Sequence, residues 1–254
     1  MKVEQVVAQL YTVREYCKDA AGLAESAKKI REIGYQAVQV SGVGDIEPAE
    51  IASILQGEGL TCCATHESNI LEAPDKVAER LHMLSCSYTA VPSPGKRPIT
   101  SLADVKQFAA DMNKSGQILS EAGIALAYHN HHREFRRYEG ELMLEVIYGE
   151  TDPRYLQGEI DTYWVQYGGG DSVEWCERLK GRLPLLHAKD YKIDDENTPT
   201  FAEIGYGNLN WQRIAAAAEA SGCEWFIVEQ DRCDGNPFDS LRMSFEYIRD
   251  NLCD

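Results

Sequence analysis

The chain alternates between short runs of apolar, often β-branched residues and longer segments that carry apolar residues at helical spacing. Several of the short runs are continuously apolar rather than alternating with polar residues, as expected for parallel strands buried on both faces. Eight strands are predicted, over residues 3–10, 37–40, 61–65, 88–91, 125–128, 156–160, 183–187 and 225–228.

The segments between these strands have the features of helices. Many of them end just before a glycine, a residue that readily adopts the left-handed conformation at a helix C-terminus. Helices are predicted over residues 20–33, 48–58, 76–85, 101–122, 141–148, 172–179, 211–220 and 238–251. Residues 92–98 and 194–207 are predicted to form long loops after strands.

The order of these elements predicts the fold. Eight strand–helix units with no break in composition favour one α/β domain over residues 1–254, a (β/α)8 TIM barrel. A doubly wound sheet is the alternative, but no GxGxxG or P-loop motif follows the first predicted strand. In a TIM barrel, polar residues just beyond the C-terminal ends of the strands converge on one mouth, where active sites lie.

Charge and composition narrow the choice of partners. The formal net charge is −16, from 25 basic and 41 acidic residues, and such a field repels nucleic-acid phosphates. A phosphorylated substrate stays compatible with this charge, because a local basic pocket overcomes a global field. The N-terminus has no signal-peptide pattern, and no apolar run reaches the roughly 20 residues that span a bilayer. We therefore expect a cytoplasmic protein without nucleic-acid or membrane partners.

Three polar residues at the ends of successive predicted strands form the first candidate site. Asp161 follows the sixth strand, His187 ends the seventh and Glu229 follows the eighth. An aspartate, a histidine and a glutamate make a mixed nitrogen and oxygen site for a divalent metal, which would polarise a substrate carbonyl. The alternative is that these side chains only cap strands or helix termini.

The fifth predicted strand leads into a histidine cluster. His129, His131 and His132 are half of the histidines in the chain, and His129 is the candidate general base because imidazole titrates near neutral pH. His131 is a candidate for substrate binding. Glu134 is a candidate fourth metal ligand, and a solvated charge beside the neighbouring arginines is its alternative.

Three further residues are predicted near the same mouth. His66 ends the third strand and either binds substrate or is a core histidine. Lys189 either neutralises an oxyanion as a catalytic residue or forms an ion pair with Asp190 or Asp161. Trp164 is a candidate for stacking on a sugar, although burial is the more common role of tryptophan.

Several longer motifs are distributed over nearly the whole chain. They are QLYTVR from residue 9, YHNH from residue 128, EIDTYWV from residue 159, GGGDSV from residue 168, LHAKD from residue 186, GYG from residue 205 and VEQD from residue 228. Together they resemble the sugar phosphate isomerase/epimerase family of xylose-isomerase-like TIM barrels. Their joint spacing is more specific than any single motif.

The resemblance implies a TIM barrel that holds Mn, Zn, Co or Mg through Glu, Asp, His and Glu from the fifth to the eighth strand. Asp161, His187 and Glu229 match the last three of these ligands. His129 matches a histidine that acts in proton transfer in related enzymes. Glu229 is expected to assist this transfer as well as to bind the metal.

The first of these four ligands, a glutamate on the fifth strand, has no counterpart at the matching position of this chain. Ala127 stands where many relatives have the first glutamate. Glu134 is the candidate replacement, and His131 is the second choice. Tyr11, in the first of the motifs, is predicted to bind substrate.

The predicted function is that of a metal-dependent isomerase or epimerase of a sugar or polyol. One base removes a proton next to a carbonyl, and the metal stabilises the enediolate. Because the first glutamate is absent, a lyase or dehydratase of a keto-sugar, keto-inositol or 3-keto-glycoside is the alternative. A non-catalytic sugar-binding subunit is less favoured, and the acidic charge disfavours a phosphodiesterase of the AP-endonuclease type. Association into a homo-oligomer is left open.

Overall fold

Eight parallel strands close into a barrel in the computed structural model, which describes residues 1–253. Each strand pairs with the next one along the chain, and the eighth pairs with the first. The barrel strands are Val6–Gln9, Ala37–Val40, Thr61–His66, Tyr88–Val91, Ala125–His129, Gln157–Asp161, Leu185–Ala188 and Trp225–Val228. The predicted (β/α)8 fold is confirmed.

Nine α-helices accompany the strands within the described residues. They are Ala20–Ile33 (α1), Pro48–Gly57 (α2), Pro74–Met83 (α3), Leu102–Glu121 (α4), Met143–Gly149 (α5), Thr162–Tyr167 (α6), Ser172–Arg178 (α7), Trp211–Ala220 (α8) and Pro237–Asn251 (α9). Eight of them correspond to predicted helices. Helix α6 was not predicted, because its 6 residues are too few to show a helical period. None of these helices combines the length and the apolar character that crossing a bilayer requires.

The first strand is shorter than predicted. Val3–Gln5 form a 3-10 turn, and pairing with the eighth strand begins at Val6. The turn is stabilised locally, since the Lys2 backbone N–H donates to Gln5 Oε1 at 2.9 Å. A period-two pattern does not reveal such a side-chain contact.

A β-hairpin replaces part of the loop predicted over residues 194–207. Its strands, Asp190–Ile193 and Pro199–Ala202, pair antiparallel just beyond the seventh barrel strand. A shorter hairpin of Arg137–Tyr138 and Glu141–Leu142 follows the fifth strand. Residues 92–98 contain no helix or strand, in agreement with the prediction. Both hairpins extend the chain at the mouth of the barrel.

Small apolar side chains fill the lower part of the barrel interior. This cluster, which we call the apolar floor, consists of Val7, Ala37, Cys63, Ala64, Ala90, Ala127, Leu185 and Ile227. Side chains two positions apart on a strand point to the same face. Two positions beyond members of the floor, the chain has polar residues that include Gln9, Gln39, His129, His187 and Glu229. The mouth of the barrel is therefore polar directly above the apolar floor.

Candidate metal centre

Four buried side chains meet at the mouth of the barrel. They are His129, Asp161, His187 and Glu229, and each has a ligand atom within 4.8 Å of those of the others. They come from the ends of the fifth to eighth strands, which the closed barrel places side by side. Three of them are the predicted metal ligands, and His129 is the predicted base.

The sequence prediction missed a further acidic residue, Glu159. Its fully buried carboxylate lies 2.6 Å from His66 Nε2 and accepts a hydrogen bond from Gln39 Nε2 at 2.7 Å. A second group with ligand atoms within 4.8 Å of one another consists of His66, His129, Glu159 and His187. A signal was present in the sequence, because Glu159 and Asp161 are two positions apart on one strand and share a face.

Two imidazoles, those of His129 and His187, belong to both groups. His129 Nδ1 lies 3.3 Å from Glu159 Oε2, and its Nε2 lies 3.7 Å from Asp161 Oδ2. His187 Nε2 lies 3.4 Å from Glu159 Oε1, and its Nδ1 lies 2.9 Å from Glu229 Oε2. A neutral imidazole has one lone pair for a metal and one N–H to donate. If the lone pair of His187 Nδ1 were given to an ion beside Asp161 and Glu229, its Nε2–H would face Glu159, as is usual around metal-bound histidines. An N–H on His129 Nδ1, facing Glu159, would leave the lone pair on its Nε2.

The carboxylate of Asp161 serves two purposes. Its Oδ1 accepts a hydrogen bond from the Trp164 backbone N–H at 3.0 Å and so caps the N-terminus of α6. The backbone N–H of Asp161 donates a hydrogen bond to Asn130 Oδ1 at 3.0 Å, which fixes Asp161 at the end of the sixth strand. Capping, the alternative reading of this residue, thus uses one oxygen and leaves Oδ2 for the site.

Lys189 lies among the acidic side chains. Its buried Nζ is 2.6 Å from Glu229 Oε2, 2.9 Å from Asp161 Oδ2 and 3.3 Å from Asp231 Oδ2. Of the two ion pairs predicted for Lys189, the structure contains the one with Asp161. The carboxylate of Asp190 instead accepts hydrogen bonds from backbone N–H groups. The ammonium therefore balances the charge of the candidate ligands.

Burial and opposite charges set the ionisation of this cluster. Burial raises the pKa of Asp161 to about 6, and the nearby Lys189 ammonium offsets part of the rise. Burial also opposes ionisation of Glu229, but Lys189 and His187 outweigh it and hold its pKa well below the usual range. For His187, burial lowers the pKa, whereas Glu159 and Glu229 more than compensate and raise it to about 10.

The pKa of His129 is shifted in the other direction. Burial, followed by the charge of His187, lowers the pKa of His129 well below its usual value. The imidazole is therefore neutral at physiological pH, which is the state that a general base requires.

Glu134 lies outside both groups, in contrast to its prediction as the fourth ligand. Its buried carboxylate accepts hydrogen bonds from Tyr128 Oη at 2.7 Å and from the His131 backbone N–H at 2.8 Å. The 3-10 helix His132–Phe135 turns the chain so that Glu134 caps its start. Both oxygens are thus engaged away from the ion site, and the additional carboxylate beside His129 is Glu159.

Replacing Glu134 by glutamine is expected to remove one pH dependence of stability. Burial raises the pKa of Glu134 to about 7, from an ordinary value of 4.5. The folded protein therefore keeps a proton that the unfolded chain has lost, so stability falls as pH rises from about 4.5 to about 7. Urea unfolding of Glu134→Gln at several pH values should show this fall reduced by on the order of 3 kcal/mol.

A matched control for this variant is Glu141→Gln, because Glu141 is exposed. It should keep the pH profile of the parent protein. The assignment to Glu134 is contradicted if both variants show the same pH profile as the parent.

A polar cavity of about 420 Å³ opens above the cluster. Three predicted substrate-binding residues line it, namely Tyr11, His66 and His131. Two members of the cluster, His129 and Glu229, also line it. Trp164, also predicted to bind substrate, packs on His131 with ring centres 5.4 Å apart. Its ring centre is 5.8 Å from the Lys189 ammonium. Trp164 thus supports the wall of the cavity from behind His131.

The chemistry of the donor set fits a divalent cation. His129 Nδ1 and Asp161 Oδ2 are buried without a directed hydrogen bond, although Lys189 Nζ lies 2.9 Å from that oxygen. Mixed imidazole and carboxylate donors suit Mn, Fe, Co and Zn, and the carboxylates also suit Mg. The residues present can therefore hold such an ion.

A parallel (β/α)8 barrel with a His, Asp and Glu cluster at its mouth defines the class of protein. The chain matches the model of the xylose isomerase-like TIM barrel over residues 27–251, and it belongs to this family. It is 25% identical over 172 residues to inosose dehydratase of Geobacillus thermodenitrificans, an alignment that covers 61% of this chain. The alignment covers 57% of that relative, so the chain spans just over half the length of the curated protein it matches.

Solved structures share the complete fold. A sugar phosphate isomerase/epimerase from Parabacteroides distasonis superposes with a TM-score of 0.82 at 24% identity, over 98% of this chain and 95% of that chain. A xylose isomerase-like TIM barrel protein from Mycobacterium smegmatis in complex with magnesium superposes with a TM-score of 0.70 at 14% identity, over 98% and 97% of the two chains. At these identities the likeness establishes the fold alone.

Proposed function

We propose that the protein is a divalent-metal-dependent isomerase or epimerase of a sugar or polyol. The observation that carries the proposal is the convergence of two imidazoles and two carboxylates beneath a polar cavity of about 420 Å³. A cavity of this size is typical of small-molecule sites. The family assignment and the sugar phosphate isomerase/epimerase among the structural neighbours support the proposal.

In this proposal Asp161, His187 and Glu229 hold the ion. When bound, the ion supplies electrophilic polarisation of a substrate carbonyl and stabilises negative charge on its oxygen. Neutral His129 lines the cavity and takes the proton from the carbon next to that carbonyl. Glu159 Oε2, 3.3 Å from His129 Nδ1, stabilises the imidazolium that forms. Return of the proton to the neighbouring carbon gives isomerisation, and return to the opposite face gives epimerisation.

Two further predicted roles, those of Glu229 and Lys189 in catalysis, have weaker support from the contacts around these side chains. Glu229 lines the cavity as well as facing His187, so it is placed to assist proton transfer. The role of Lys189 in neutralising a substrate oxyanion stays a prediction, because its ammonium is bound by three carboxylates in the structure.

A lyase or dehydratase of a keto-sugar or keto-inositol is the second candidate. The inosose dehydratase among the relatives favours it. The position of Ala127 in the apolar floor also favours it, because a second base on the fifth strand is absent there. The first step is the same proton abstraction, and expulsion of an oxygen substituent on the next carbon follows it.

Isotope exchange in heavy water distinguishes these candidates. The purified protein, loaded with Mn²⁺ or Zn²⁺, is incubated with neutral ketoses (fructose and ribulose), with anionic ketoses (fructose 6-phosphate and fructuronate) and with keto-inositol. Uptake of deuterium next to the carbonyl is expected, and net loss of water would assign the lyase. If the protein retains no divalent ion on dialysis and catalyses no exchange, the proposal is overturned and a non-catalytic sugar-binding subunit is favoured.

The assignment of ligands has its own test. Asp161→Ala and His187→Ala are each expected to lose bound metal, measured by elemental analysis after dialysis, because each removes a buried donor. Asp194→Ala, at a half-buried position in the loop of the hairpin, should keep the metal content of the parent. Normal metal content in both ligand variants would refute the assignment.

A further inference from the structure

Two arginines beside the site have no acidic partner. Neither Arg133 nor Arg136 forms an ion pair or a side-chain hydrogen bond within residues 1–253. Other arginines in this acidic chain do pair with carboxylates, among them Arg80, Arg97, Arg154, Arg178 and Arg249. The charges of Arg133 and Arg136 are therefore available to a ligand.

Both arginines line a small cavity next to the polar cavity of the site. It has a volume of about 150 Å³ and is lined by Arg97, Arg133, Arg136 and Tyr138 among others. This volume corresponds to roughly five water molecules, which is enough for one compact polar group. Arg133 also lines the polar cavity above the candidate metal centre, so the two cavities meet at its side chain. We call the small cavity the arginine pocket.

The arginine pocket is positive although the chain as a whole has a net charge of −16. Arg97 is neutralised by Asp111, with Nη1 2.5 Å from Oδ2, but Arg133 and Arg136 are not. Glu134, on the same turn, has both of its oxygens engaged by Tyr128 and a backbone N–H.

The pKa of the neighbouring His132 is affected by the same positive charges. Burial, followed by the charges of Arg133 and Arg136, lowers the pKa of His132, and no carboxylate opposes them. Arg133 and Arg136 are exposed guanidinium groups without a counter-ion beside the polar cavity, and the planar N–H groups of arginine match carboxylate and phosphate oxygens.

We infer that the arginine pocket binds an oxyanion group of the substrate, a phosphate or a carboxylate, while the sugar part lies at the candidate metal centre. The second half of this inference rests on the proposed function, whereas the binding of an oxyanion does not. The substrate is then an acidic ketose, a sugar phosphate or a sugar acid, rather than a neutral sugar.

The test measures binding rather than turnover. Fructose, fructose 6-phosphate and fructuronate are titrated into the dialysed protein by calorimetry, with inorganic phosphate as a competitor. We expect at least one of the two anionic ketoses to bind about tenfold or more tightly than fructose, and the tighter of the two identifies the oxyanion. Arg133→Gln and Arg136→Gln should each weaken the anionic ketose about tenfold and leave fructose unchanged.

The matched control is Arg154→Gln, which removes an exposed arginine paired with Asp152. It should bind all three ketoses as the parent does. Equal affinity for the three ketoses, no binding of either anionic ketose, or arginine-pocket variants that behave like Arg154→Gln would each overturn the inference. Since no turnover is measured, a failure of isotope exchange leaves this result intact and bears only on the proposed function.

Discussion

Replacing Lys189 by methionine is expected to raise the affinity for divalent cations and to lower the stability of the metal-free protein. In the structure the ammonium lies within 3.3 Å of oxygens of Asp161, Glu229 and Asp231, so it competes with an ion for the same charges. Methionine fills a similar volume without a charge. We expect affinity for Mn²⁺ or Zn²⁺, measured by calorimetry, to rise at least about tenfold.

The metal-free variant should lose stability for the same reason. Without the ammonium, buried carboxylates are left uncompensated, and removal of one partner from a buried ion cluster costs about 3–5 kcal/mol. Urea unfolding after dialysis against a chelator measures this loss, and added metal should restore much of it. Lys192→Met is the control, because Lys192 pairs with Asp234 at the surface. Weaker metal binding by Lys189→Met would show instead that the lysine helps to form the site.

Asp190→Ala is expected to be the most destabilising single change near the mouth. The buried carboxylate accepts hydrogen bonds from the N–H groups of Tyr191, Gly205, Gly207 and Leu209, and from Trp211 Nε1. Truncation leaves these donors without a partner in a place that water reaches poorly. The expected loss is about 4 kcal/mol or more, measured by urea unfolding.

Two variants show whether this loss comes from the hydrogen bonds. Asp190→Asn retains one acceptor oxygen and should lose about half as much stability. Asp194→Ala removes a half-buried aspartate that accepts hydrogen bonds from the N–H groups of Glu196 and Thr198, and it should cost about 1 kcal/mol. Equal losses for Asp190→Ala and Asp194→Ala would contradict the anchoring role of Asp190.

The barrel could be predicted because its strands are buried on both faces and its helices are amphipathic. Both properties leave a direct record in the order of apolar residues. The ends of Ala20–Ile33 and Trp211–Ala220 agree with prediction to the residue, since Gly34 follows the first helix and the second is followed by the turn to Gly222. The short helix Thr162–Tyr167 was missed, because it depends on a cap by Asp161 rather than on periodicity.

The candidate site was most readily predicted where a residue ends or directly follows a predicted strand. The ends of parallel strands meet, so Asp161, His187 and Glu229 could be grouped from their positions alone. The positions of Glu134 and Glu159 depend on side-chain direction and on the path of a turn. Tyr128 and a backbone N–H hold Glu134 away from the cluster. Glu159 lies inside a predicted strand rather than at its end, so its position in the sequence did not mark it as a site residue.

The apolar floor determines by which route a molecule can reach and leave the cluster of histidines and carboxylates. Seven hydrocarbon side chains and the thiol of Cys63 close the barrel below the histidines, so the cavity above them is blind-ended. A molecule bound in this cavity must leave through the same opening by which it entered, and a second one cannot reach the cluster until the first has departed.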